Sequence, residues 1–316
     1  MPAGRSVLRV AALGSGGAVL AAVSLAAGLW VALPDPARLA RDNPRTTALI
    51  EQRRAEARAT RRAFRPRQTW IAPERIAPAL VQAVLISEDA NFFGHEGIDW
   101  EAIRGAAEHD LKVRRFARGA STLTQQLARN LWLGTEKSLW RKAKEAVLAA
   151  KLERALSKKR ILSLYLNLVE MDDGVFGVEA GARQRFGTSA AALSPAQAAV
   201  LASLLPAPRR VDLGHPSSWL KGRSRRLLDR MRDHGRLTPE EHRAASAELE
   251  RILAGPSRDE GEEPPEDEQA QAAPAPPGAG TLAVRPVSRE PPAGAEPEPG
   301  RPPGAAAQNG AAGTAG

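Results

Sequence analysis

GASTLTQQLARNLWL, residues 119–133, places leucines at 123, 127 and 131. A four-residue apolar interval marks one face of an α-helix, and nothing here alternates with the two-residue period of a strand. Ser121 and Thr122 precede the interval, and both are residue types that cap helix N-termini. On the helix that follows, Gln125, Arg129 and position 132 share one face, and Gln126 and Asn130 share the adjoining one. Amides, a guanidinium and hydroxyls set side by side suit a sugar that carries phosphate. The same row also reads as an exposed polar helix face.

Outward from this stretch the helical interval recurs. It appears at Leu80, Val84 and Leu85, at Ala146, Leu148, Ala149 and Leu152, and at Ile161, Leu164 and Leu168. Ser194-Pro195 opens SPAQAAVLASLL and Thr238-Pro239 opens TPEEHRAASAELERIL. Each pairs a capping hydroxyl with a proline at the first helical position, where the missing N–H costs nothing. Few runs alternate as strands do, so residues 75–254 are expected to form an all-α body.

The ends of the chain differ from that body. Val7 to Leu33 reads VLRVAALGSGGAVLAAVSLAAGLWVAL, and beyond Arg9 no charge occurs before Asp35. About 20 apolar residues span a bilayer core, so residues 1–33 are expected to hold a short N-terminus and one transmembrane anchor. A signal peptide, the competing reading, has a shorter apolar core. Residues 34–74, with nine arginines between Arg41 and Arg67, are expected to form a basic juxtamembrane stalk, in solvent or along anionic headgroups. The repeat RRAEARATRR within it has helical character. From Gly255 the composition turns to Pro, Ala, Gly and Glu, too poor in large apolar groups to offset chain entropy, so residues 255–316 are expected to be disordered. That tail holds ten acids and four arginines, a balance of −6, so the net charge of +9 leaves about +15 on residues 1–254. A basic body fits anionic partners: nucleic acid, a membrane surface or a phosphorylated substrate. There is no cysteine, which excludes disulfides and thiolate metal sites.

Two more stretches carry candidate chemistry. SEDANFFGHEG, residues 87–97, sets Glu88 and Asp89 at the end of an apolar run, before a turn with His95 and Gly97. Burial beside an apolar face favours the protonated form of a carboxyl, and such tuning suits proton transfer near neutral pH. Phe92 and Phe93 could form a dry wall for it. A plain structural helix end explains the same residues. KSLWRKAKEAVLAAKLE, residues 137–153, gathers Lys137, Arg141, Lys144 and Glu145 within two and a half turns. Such cations suit a pyrophosphate, and they would keep Glu145 ionised. A solvated amphipathic helix is the competing reading.

In their order, EDANFFGHEG, GASTLTQQLARNLWL, RKAKEAVLAAKLE and KKRILSLYLNLVEMDDGVFGVEAGARQRFG resemble the biosynthetic peptidoglycan glycosyltransferases, glycosyltransferase family 51. In size the chain is similar to monofunctional, membrane-anchored members. The resemblance runs from Ile76 to Arg210 and more weakly to residue 253. It implies a lysozyme-like helical domain that polymerises lipid II into β-1,4-linked strands of MurNAc and GlcNAc. Configuration inverts and undecaprenyl pyrophosphate leaves. Glu88 matches the general base and Glu145 the second functional carboxylate. Arg129 and Lys137 match pyrophosphate-holding positions. Ser121, Thr122, Gln125, Gln126 and Asn130 match the motif lining the cleft, and Arg141 and Lys142 belong to the third motif. Asp89, Phe92, His95 and Gly97 shape the turn around the base.

The resemblance also implies a divalent cation, Mg²⁺ or Mn²⁺, bridged by the substrate's pyrophosphate near Glu145. The partners implied are lipid II, the growing strand, the cytoplasmic membrane and other wall-synthesis proteins, with no nucleic acid. The catalytic domain would lie on the outer, periplasmic face, although the arginines after the span count toward the opposite orientation. The chain departs from the family pattern at Ala120, Ser163, Asp172 and Arg185, and it exchanges lysine and arginine at 129 and 137. Ser218-Trp219-Leu220-Lys221 spells S-x-x-K, but only 95 residues follow and none of them spells K-T-G. An inactive wall-synthesis scaffold and a lytic glycan-cleaving enzyme are the alternative readings.

Overall fold

The computed structural model describes residue 20 and residues 23–113, 121–136 and 138–254. Most of the apolar run before residue 23, Ala120, Lys137 and the tail from 255 lie outside the described residues. Among the described helices none is long and apolar enough to cross a membrane.

The described chain is mostly helical. After α1, over residues 23–32, come α2 (Ala48–Ala59), α3 (Pro78–Glu88), α4 (Trp100–Val113) and α5 (Leu123–Ala128), then α6 (Leu139–Ala155), α7 (Lys158–Leu168) and α8 (Val178–Phe186), and last α9 (Pro195–Ser203), α10 (Ser218–Asp233) and α11 (Pro239–Ile252). The two Ser/Thr-Pro starts behave as their residue types require. Ser194 and Thr238 are N-caps, each closing a capping box with Gln197 or Glu241, and proline follows in each. Ser217 caps α10, so Ser218 to Lys221 form its first turn.

The all-α expectation needs one correction. Strands β1 (Arg67–Gln68), β2 (Glu170–Asp172) and β3 (Val175–Phe176) form a small sheet in the order β1-β3-β2. β1 runs parallel to β3, and β2 pairs antiparallel with it across a bulge at Glu170/Asp172. Strands of two or three residues are too short for an alternating pattern to show. Gly177 follows β3 at φ +80°, and a Cβ there would meet the Asn167 carbonyl oxygen at 2.7 Å. Asn167 is fully buried and holds both backbone groups of Ile71 through its amide, which ties the strand side to α7.

Residues 34–74 do not stand off as a stalk. Helix α2 lays Leu49 and Ile50 against Phe176. Arg53 forms a bidentate pair with Glu170 at 2.7 and 2.8 Å. Earlier in the segment, Lys151 of α6 donates to the carbonyls of Trp30 and Leu33, and Arg160 of α7 donates to those of Leu39 and Asp42. Long basic side chains thus pair with a buried carboxylate and with backbone carbonyls of this segment, which a charge count cannot distinguish from a solvated surface.

The core packs α3, α5, α7, α9 and α10 through Leu80, Val84, Leu123, Leu127, Leu164, Leu168, Leu201 and Leu228. Arg185 on α8 pairs with Asp172 on β2 at 3.0 Å and donates to the carbonyls of Val211 and Pro208. The two departures from the family pattern at 172 and 185 are therefore partners.

Candidate active site

Helix α5 begins where three segments meet. Thr122 is its N-cap, and its hydroxyl both accepts from the Gln125 N–H and donates to the Gly97 carbonyl at 2.7 Å. Asp89 accepts the Leu123 N–H at 2.9 Å. His95 Nε2 stands 3.0 Å from both Asp89 oxygens, and the Gly97 N–H donates to His95 Nδ1. Nδ1 accepts, so Nε2 carries the proton that Asp89 receives. Gly97 sits at φ +87°, a conformation that L side chains avoid. The turn over 89–97 is thus a rigid seat for the first residues of α5.

Glu88 closes α3, and its side chain is 9% exposed. Its Oε1 accepts from the Ser87 hydroxyl at 3.0 Å and from Arg223 at 3.2 Å, and its Oε2 accepts from Gln126 Nε2 at 3.1 Å. The dry wall of phenylalanines is a correction: the groups bonded to Glu88 are polar and cationic. Phe92 is buried, stacked edge-on with Phe93 and His95, with Lys158 over its ring at 4.4 Å. Phe93 is 49% exposed.

Glu145 lies in α6 and is 1% exposed. One oxygen accepts from Arg141, the other from Lys142 at 2.6 Å. Spacings of four and three residues put both cations on the carboxylate's face of the helix. Lys142 also donates to Ser121 at 2.6 Å and reaches Gln125 at 3.5 Å. Lys144, grouped with these cations in the sequence, instead lies 5.3 Å from the Trp140 ring centroid.

Gln125 and Gln126 thus serve different carboxylates. Successive helical residues point about 100° apart. Gln125 closes the capping box and faces Lys142, while Gln126 faces Glu88 and accepts from the Tyr165 hydroxyl at 3.1 Å. Burial first, and then the nearby Glu88 charge, raises the Tyr165 phenol well above its ordinary range, so it stays a hydroxyl donor. After Ala128 the helix widens into a π turn over Arg129–Leu133. The face shared by Gln125, Arg129 and position 132 assumed unbroken α spacing; the Arg129 N–H still bonds the Gln125 carbonyl, and the π turn widens the chain beyond it, where Gly134 N–H donates to the Arg129 carbonyl. Arg129 Nε is buried with no hydrogen-bond partner among the described residues. Asn130 is buried in the same turn.

Among the described residues no uncommitted set of metal ligands is gathered here. Asp89, His95 and Asp99 bring donor atoms within 4.8 Å of one another. Those atoms already bond one another, the Leu123 and Ala102 amides and Asn91. Both Glu145 oxygens carry cationic donors, which repel a divalent ion.

A transglycosylase family model matches residues 55–232. The chain belongs to the transglycosylase family. Proteins named biosynthetic peptidoglycan transglycosylase are similar to it. That of Nitrosospira multiformis is 43% identical over 189 residues, covering 60% of this chain and 82% of that protein. That of Nitrosomonas europaea is 45% identical over 189 residues, covering 60% and 78%. That of Bordetella pertussis is 42% identical over 208 residues, covering 65% and 83%. For this transglycosylase, reading the sequence missed Ser87, Tyr165 and Arg223. Arg223 lies 135 residues from Glu88, and in sequence it is one of several arginines in RSRRLLDRMR. Tyr165 is the chain's one tyrosine, on a helix otherwise read as core, and that singularity was the available signal.

Proposed function

We infer that this cell-envelope enzyme polymerises peptidoglycan glycan strands from lipid II. What carries the reading is one helix start that serves two buried carboxylates, Glu88 through Gln126 and Glu145 through Lys142 on Ser121 and Gln125, in a chain of this family. Glu88 accepts the proton of the acceptor sugar hydroxyl. That oxygen forms a bond to the donor's anomeric carbon as the bond from that carbon to the diphosphate breaks. One displacement inverts the configuration, as when a carboxylate base activates an attacking oxygen on the opposite face of the ring. The leaving diphosphate is already anionic, so cations replace a general acid. Arg129, with its buried unmatched Nε, and the Arg141–Glu145–Lys142 cluster stand for that task, with Lys137 beside them in sequence.

A divalent cation would supply further positive charge to the leaving diphosphate, and Glu145, with Arg141 and Lys142 on its two oxygens, offers no uncontested ligand to hold one on the protein. The apolar run over 7–33 anchors the enzyme in the cytoplasmic membrane with the N-terminus inside. Docking of residues 29–43 on α6 and α7 supports an anchor close to the catalytic body.

The test is purified protein in detergent with labelled lipid II. Wild type forms polymer, and Glu88→Gln loses about 10²–10⁴-fold, the usual worth of a general base. No polymer from wild type with or without Mg²⁺ or Mn²⁺ would favour the scaffold. Release of fragments from preformed glycan would favour the lytic enzyme.

A further inference from the structure

Arg223 is buried on α10, and its side chain is 7% exposed. It donates to the Ser87 hydroxyl at 2.7 Å and to Glu88 Oε1 at 3.2 Å. Ser87 has one hydroxyl proton, which it gives to the same Oε1 at 3.0 Å. Arg223 thus reaches the carboxylate twice, directly and through the serine. A carboxylate oxygen has two lone pairs. Oε1 takes two donors, whereas Oε2 takes only Gln126 Nε2. One lone pair of Oε2 stays open. The amide that shares Oε2 is fixed in sense, because its own oxygen accepts from Tyr165. A flipped amide would set oxygen against oxygen.

We propose that Arg223 is the positioning residue of the catalytic base, fixing Oε1 of Glu88 through Ser87 and leaving Oε2 as the atom that takes the proton. This rests on the reading of Glu88 as the base. Among the described residues, Arg223 and Arg230 approach Glu88 from α10, and Tyr165, itself near Arg129 and Asp89, faces it from α7. Helix α9, also packed on α3, carries no ionisable side chain. Only Arg223 among these cations touches the carboxylate.

The experiment is steady-state lipid II polymerisation by wild type, Arg223→Gln and Arg223→Lys, with thermal melts of each. Arg223 holds the base and does not touch the substrate, so kcat for Arg223→Gln falls by up to about 10²-fold, the cost of a misplaced reacting group, while KM stays near wild type. Arg223→Lys recovers part of kcat, because the ammonium keeps the charge but not the fork. An unchanged kcat in a folded Arg223→Gln overturns the proposal and leaves Arg223 a structural residue. If Arg223→Gln gives no cooperative melt, Arg223→Lys decides: a reduced kcat with KM near wild type is the expected result, and a wild-type kcat overturns it. Should Glu88→Gln polymerise at the wild-type rate, the base assignment itself falls and this role with it. A dead Glu88→Gln with an unchanged kcat in Arg223→Gln sinks the arginine's role alone.

Discussion

Glu145 shows how one residue can bind fold and site together. Its carboxylate is buried between Arg141 and Lys142, and Lys142 passes the contact on to Ser121 at the start of α5. A neutral amide in its place leaves two cations facing each other. Breaking a buried pair from one side costs about 3–5 kcal/mol, and the exposure of Lys142 lowers that figure. Glu145→Gln is therefore expected to lose about 2 kcal/mol of stability as well as most polymerase activity. Thermal melts and lipid II turnover on one preparation separate the two losses. A variant that melts with wild type and turns over near normally removes both roles. Glu88 and Glu145 were legible as single residues because each stands at a family motif. Arg223, Ser87 and Tyr165 were not, because a residue that acts through a fold contact has no local signature.

At the scale of elements, helix starts were the most readable feature. A hydroxyl followed by proline satisfies the first amides without tertiary help, so α9 and α11 begin at the expected residues. The π turn after Ala128 and the three short strands were hidden, since both depend on what the neighbouring segments demand. The ion pair between Arg185 on α8 and Asp172 on β2 belongs to this scale. Asp172→Gly and Arg185→Tyr each leave an unpaired, largely buried charge. The double variant leaves none. The coupling energy of the double-mutant cycle is expected at about 1–2 kcal/mol by denaturant unfolding. Strictly additive losses would show that the two departures are independent.

At the scale of the molecule, the segment between the apolar run and α2 is docked. Lys151 closes the C-terminal end of α1 by donating to Trp30 and Leu33, and its ammonium lies 5.6 Å from the Trp30 ring centroid. Lys151→Met keeps the stem and removes both hydrogen bonds. Each is worth about 1 kcal/mol net. Local opening should then bring trypsin cleavage after Arg38 or Arg41 forward about thirtyfold, with the fold otherwise intact. Cleavage at the wild-type rate would show that the apolar contacts of Leu33 and Leu39 hold the segment unaided.

The sequence by itself determined the helical body, the capped starts and the family, and it singled out the two carboxylates as candidates. Each follows from spacing along the chain or from a motif that is contiguous in it. Only the tertiary structure decided what Glu88 faces, that Gln125 and Gln126 answer to different acids, that the basic segment is docked and that Asp172 has Arg185. These depend on pairs far apart in sequence. An arginine on a helix surface and an arginine beside a buried carboxylate look the same until the fold brings the second partner to it, as α10 brings Arg223 to 3.2 Å from Glu88.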